Sequence, residues 1–149
     1  MKINLCTAGP DIIEGYHNVV PVGLQAQTGV YYFPYDNFNA ICGDGEADEI
    51  RTNDALTMVE AKFHGPLIQY WAKKLSLSGR MTFVAYDVNF LARAFHLGQI
   101  GTFNLNSFLV HGKSSCVTMN DLIEYCERLN LKILEKRYDG LKLVLVVGR

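Results

Sequence analysis

Charge is scarce in this sequence. Charged residues make up 19% of 149, and 14 Lys and Arg against 15 Asp and Glu leave a net charge of −1. A phosphate polymer is held mainly by clustered cations, so this balance argues against nucleic acid as the main partner. Long apolar runs are missing too. None approaches the roughly 18 residues of a membrane span, and the apolar part of Met1-Lys2-Ile3-Asn4-Leu5 is too short for a secretion signal. No membrane contact is expected, and the cytoplasm, or an assembly built there, is the expected location. Cysteine is sparse and scattered: Cys6, Cys42, Cys116 and Cys126 form no Cys-x-x-Cys pair, and His17, His64, His96 and His111 are equally dispersed. Neither a disulfide framework nor a zinc site is expected, and no metal site is assigned. Ser114-Ser115-Cys116 with His111 lacks the flanking glycines and the strand-turn-helix setting of a nucleophile elbow.

What is present is the material of a core. Hydrophobic residues are 49% of the chain and there are 13 glycines, a composition that excludes disorder, coiled coil and collagen-like sequence. The length suits one domain over residues 1–149. Short β-like runs occur at Lys2 to Cys6, His17 to Val22, Gly29 to Phe33, Glu49 to Thr52 and Arg80 to Tyr86, each bounded by turn-forming residues. Asp36 to Asp48 has no regular period and reads as a loop. Leu67, Ile68, Trp71, Ala72 and Leu75 share one face of a helix that Leu77-Ser78-Gly79 ends. Asp87 precedes a second helical pattern through Phe90, Leu91, Ala94, Phe95 and Leu97, closed by Gly98 and Gly101. Thr118 or Asn120 caps a third over Leu122 to Leu129, with Asn130 as its left-handed end. Asp139-Gly140 between two β-rich runs is a hairpin signal.

Alternating strands and helices predict an α/β fold: a three-layer sandwich around a mostly parallel, doubly wound sheet, ending in an antiparallel β-hairpin. In such sheets a ligand lies at the carboxyl ends of the strands, beside the turn after the first. That directs attention to Thr7, Ala8 and Gly9, to Asp36, and to Thr52, Asn53 and Asp54.

The order of elements resembles the class I S-adenosylmethionine-dependent methyltransferases, and within them small bacterial and phage proteins of predicted methyltransferase type. The likeness is carried by Asn4-Leu5-Cys6-Thr7-Ala8-Gly9-Pro10 with Glu14-Gly15-Tyr16-His17-Asn18-Val19, by Asp48-Glu49-Ile50-Arg51, by Trp71 through Arg80, and by Asn120-Asp121-Leu122-Ile123. It implies a single methyltransferase-like domain with S-adenosylmethionine as its cofactor. The departures lie where that cofactor would be held. The resemblance places a Gly-x-Gly turn at Thr7-Ala8-Gly9, an acidic ribose ligand at Val20, and Leu-Glu-His at Leu56-Thr57-Met58. A valine cannot accept a hydrogen bond from a sugar hydroxyl. Thr7, Ala8, Gly9, Asp36 and Asn53 are the residues left to contact the cofactor, and Asp54, or else Asp36, is the candidate for orienting or deprotonating a methyl acceptor. Asp36 also reads as a turn residue and Asp54 as a helix cap. The aromatic run Tyr31, Tyr32, Phe33, Tyr35 and Phe38 suits either a planar ligand or packing.

The expected function is therefore a methyltransferase-fold protein with weak or lost S-adenosylmethionine binding. It would act as a binding or structural component of a larger assembly, a phage one if the resemblance extends that far. The alternative is an active methyltransferase of unknown acceptor. A protein partner or self-association is expected.

Overall fold

Apolar alternation sets the strands of the computed structural model, which describes residues 1–7, 11–21, 30–109 and 114–149. Strands β1 (Lys2–Leu5), β2 (His17–Val20), β3 (Val30–Tyr32), β4 (Ala47–Asn53), β5 (Leu75–Tyr86), β6 (Lys132–Asp139) and β7 (Lys142–Gly148) form a seven-stranded sheet in the order β3-β2-β1-β4-β5-β7-β6. The first five strands pair in parallel, and β7 runs antiparallel between β5 and β6. The helices are α1 (His64–Lys74), α2 (Val88–His96), α3 (Thr102–Leu109) and α4 (Met119–Arg128), with a 3-10 turn over Ala55–Met58. No helix is long and apolar enough to cross a membrane among the described residues.

One sheet face carries the main core. Ile3, Ile50, Met81 and Val147 are in register across β1, β4, β5 and β7, and Phe83 is in register with Leu145. All are buried, and α1 adds Leu67, Ile68 and Trp71 while α4 adds Leu122 and Cys126. Burying a side chain of this size stabilises by about 1.5 to 3 kcal/mol, which makes this face the chief source of stability. The helices start and stop for local reasons. The Asp87 side chain accepts from the backbone N–H groups of Asn89 at 2.8 Å and Phe90 at 3.2 Å, capping α2. Thr118 caps α4 through Asp121 N at 3.1 Å, and Asn130 follows that helix at φ 57°.

The opposite face is unlike the first. By strand alternation it presents Lys2 and Asn4 from β1, Asn18 from β2, Glu49 and Arg51 from β4, and Arg80 and Thr82 from β5. Parallel strands are normally covered by helices on both faces. Here every α-helix among the described residues comes after β4, so the expected alternation of helix and strand holds only from there onward. Residues 11–16, between β1 and β2, are irregular and are held by Asn18. Its Oδ1 accepts from Asn4 Nδ2 at 2.8 Å and Ile13 N at 2.9 Å, and its Nδ2 donates to Ile13 O at 3.0 Å and Tyr16 O at 3.1 Å. One buried carboxamide thus satisfies backbone groups that a helix would have paired internally. Further along, Phe108 of α3 stacks on Tyr86 with ring centres 4.6 Å apart.

Two elements differ from the sequence expectation. Leu77-Ser78-Gly79 does not end α1; it lies inside β5, which starts directly at Leu75. Gly79 is needed there, because a Cβ would stand 2.7 Å from the Ala47 carbonyl oxygen, where β4 and β5 shift register. The second is α3, which the sequence reading did not foresee.

Candidate functional site

The site is built where the parallel strands end. At the end of β1, Cys6 is buried and its carbonyl oxygen accepts from the Tyr35 hydroxyl at 2.7 Å. The Tyr35 carbonyl in turn accepts from Trp71 Nε1 at 2.8 Å, so the segment after β3 is pinned between β1 and α1. Burial drives the Tyr35 hydroxyl far above the usual phenol range, with the negative charges of Asp11 and Asp54 adding to it, and the group stays a donor. Thr7 donates its hydroxyl to Asp11 Oδ2 at 2.9 Å.

Beside this pinned segment lies an open cavity of about 510 Å³. Pro21 and Pro34 enter it from the ends of β2 and β3, and Tyr35 and Asp36 from the turn that follows. Met58 and Val59 line it after β4, and Phe63 and Leu67 at the start of α1. Volume and lining match a small-molecule site: largely apolar walls with few polar groups. Asp36 is the charged residue of this lining, exposed, in a turn that Asn37 N closes onto Pro34 O at 3.0 Å.

Asp54 stands at the end of β4 with φ 54°, a left-handed conformation that Asp tolerates better than most residues. It occupies the cap position of the 3-10 turn, yet its side chain makes no cap bond. Instead Oδ2 accepts from Lys142 Nζ at 3.1 Å and Oδ1 from Tyr86 N at 3.3 Å, tying β4 to β5 and β7. The Lys142 ammonium also lies 4.9 Å from the centre of the Tyr86 ring. Asn53 is buried beside it, on the sheet face away from the main core. Asp36 and Asp54 therefore sit in separate settings, one on the cavity rim and one in an ion pair. Ala8 and Gly9 lie outside the described residues. At Val20, where the resemblance calls for a ribose acceptor, the side chain is fully buried and the carbonyl oxygen accepts from Phe33 N at 3.1 Å. Tyr35 and Phe38 of the aromatic run are buried in the core, and Tyr31 packs on His17 with ring centres 5.6 Å apart.

Sequence reasoning missed His64. Its Nε2 lies 2.8 Å from Leu56 O and 2.9 Å from Ser115 Oγ, behind the cavity wall. A carbonyl oxygen carries no proton, so Nε2 is the donor to it and cannot also take a proton from Ser115. The pair is a staple, reinforced by Ser114 N donating to Thr57 O at 2.8 Å. Burial holds the imidazole below its ordinary range, against hydrogen bonds that push it up. Ser115 and His64 are 51 residues apart, and no local pattern announces the contact. Among the described residues, no group of three His, Cys, Asp or Glu side chains could hold a metal ion.

No known family description matches the sequence, and no curated protein matches it. Solved structures do. An S-adenosylmethionine-dependent methyltransferase from Archaeoglobus fulgidus superposes with a TM-score of 0.70 at 8% identity, over 99% of this chain and 86% of that one. The 1,6-didemethyltoxoflavin-N1-methyltransferase of Burkholderia thailandensis, solved with its substrate and S-adenosylhomocysteine, gives 0.64 at 13% identity, over 99% of this chain and 70% of that one. An O-methyltransferase family protein from Burkholderia thailandensis gives 0.61 at 16% identity; 80% of this chain spans only 35% of that one. The likeness is one of fold: this is the α/β fold of the S-adenosylmethionine-dependent methyltransferases, with its seven-stranded mixed sheet.

Proposed function

We propose that this methyltransferase-fold chain serves as a binding component of a larger assembly, with weak or no hold on S-adenosylmethionine. The end of β2 carries the reading. Val20 is fully buried there, and a valine at the position that the resemblance gives to the ribose ligand offers the sugar hydroxyls no side-chain acceptor. Losing one charge-assisted acceptor costs about 1.5 to 3 kcal/mol, roughly one to two decades of affinity. Asp54 supports the same conclusion. S-adenosylmethionine, when bound, supplies an electrophilic methyl group, and an Asp54 carboxylate already paired with Lys142 is a poorer base toward an acceptor than a free one. A phage assembly is the setting that the resemblance suggests.

One observation favours the second reading, an active methyltransferase. The cavity beside Asp36 has apolar walls suited to a flat heteroaromatic ring, and its place at the strand ends is where this fold takes ligands. Calorimetric titration with S-adenosylmethionine and S-adenosylhomocysteine decides between them. The expected result is no saturable heat below millimolar ligand; micromolar binding would overturn the proposal and establish the second reading's cofactor.

A further inference from the structure

Carboxylates outnumber ammonium groups around the apolar cavity at the strand ends. Asp36 stands exposed on its rim, and the carboxylate forms no hydrogen bond or ion pair among the described residues. Burial is the main reason that the Tyr35 hydroxyl on the same wall resists ionisation, but the charges of Asp11 and Asp54 also reach it and add to the effect. Both cations of this neighbourhood are already taken. Lys142 lies 3.1 Å from Asp54 Oδ2, and Lys62, next to Phe63 of the lining, lies 2.7 Å from Glu60 Oε2. Burial keeps the His64 imidazole behind the wall in its neutral form above about pH 6.5, so it adds no charge. Among the described residues, Asp36 is thus the free charge of the cavity, in surroundings that favour a cation beside it.

The walls set the rest of the ligand. Pro21, Pro34 and Pro66 line the cavity with rings that have little freedom to lose when a flat group lies on them. Tyr35 offers its ring alone, because its hydroxyl is donated to Cys6 O at 2.7 Å. Phe63 is 48% exposed, and the Lys62 ammonium 5.0 Å from its ring centre shows that this ring accommodates a positive charge. A volume of about 510 Å³ suits a small molecule rather than a polymer. We propose that the cavity binds a small, flat aromatic cation that carries no sugar, its ring within the apolar walls and its charged group at Asp36. This goes beyond the binding role proposed above and rests on the cavity rather than on the end of β2, so either proposal can fail alone.

Benzamidine is the probe, followed by nuclear magnetic resonance on the full chain labelled at its methyl groups. Saturable shifts of the Met58 and Leu67 methyl signals are expected at millimolar benzamidine. Benzamide, a similar ring without the charge, should bind about fivefold more weakly, and benzoate should not saturate. Absence of saturation by benzamidine overturns the proposal, as does saturation that leaves Met58 and Leu67 unmoved or equal affinity for benzamidine and benzamide. The Asp36 side chain makes no bond that a substitution would break, so Asp36→Asn isolates the charge. In that variant the gap between the two ligands should close to under about twofold while benzamide affinity stays the same. A gap that survives there also overturns the proposal. Adenosine, uncharged and carrying a sugar, is expected to bind more weakly than benzamidine; tighter binding would mark the cavity as a remnant of a cofactor site and overturn the assignment.

Discussion

His64 shows how one side chain can set the pH response of a whole chain. Burial keeps its imidazole below the ordinary value of about 6.5, so the folded protein binds this proton less readily than the unfolded chain does. The stability carried by the neutral ring is complete above that value and is lost as pH falls below it. Denaturant midpoints measured at about pH 8 and about pH 5 should therefore differ more in the native chain than in His64→Gln, which keeps a donor but does not titrate. An equal difference in both would assign the acid sensitivity to other groups. Residue-scale chemistry was only partly legible in the sequence. The positions of Thr7, Asp36, Asn53 and Asp54 at strand ends and turns were legible because such residues are visible in a linear pattern. Lys142, which holds Asp54, and Ser115, which meets His64, come from 88 and 51 residues away, and only the folded sheet brings them in.

At the scale of elements, Asp87 joins three of them. Beyond capping α2, its carboxylate accepts from Met119 N at 2.8 Å, at the start of α4, and from the Tyr138 hydroxyl at 3.0 Å on β6. Burial and this bond to a carboxylate together raise the Tyr138 hydroxyl above the usual phenol range, so it stays protonated as the donor. Asp87→Ala removes the cap and strands buried donors at once, and should lower the unfolding free energy by about 3 kcal/mol, measured by urea denaturation. A loss under about 1 kcal/mol would mean that water replaces the carboxylate. Helices α1, α2 and α4 were legible because each buries one stripe, and the hairpin because Gly140 sits at φ 58° after an Asp. Helix α3 was not: none of its residues is buried, so no stripe is written into its sequence. The start of β5 was hidden by Ser76, Ser78 and Gly79, where close approach to β4 rather than propensity selects the residues.

For the molecule as a whole, the fold class was legible because buried parallel strands leave short, dense apolar runs. The polar sheet face was not, since Asn18 on a strand looks like an ordinary solvent-facing position, whereas in the folded chain it is buried and holds Ile13 and Tyr16. Sheet order carries a further consequence. Strand β5 lies inside the sheet between β4 and β7, and β7 is made after the other six strands. Until Lys142–Gly148 leave the ribosome, the backbone donors and acceptors of Arg80 to Tyr86 that face β7 have no partner, beside side chains as apolar as Met81 and Phe83. A chain stopped before Lys142 should pellet on release from the ribosome while the full chain remains in the supernatant. Synthesis speed across the last hairpin thus becomes a selectable trait: a slow stretch of codons there would lengthen the time in which two nascent chains can zip together along β5.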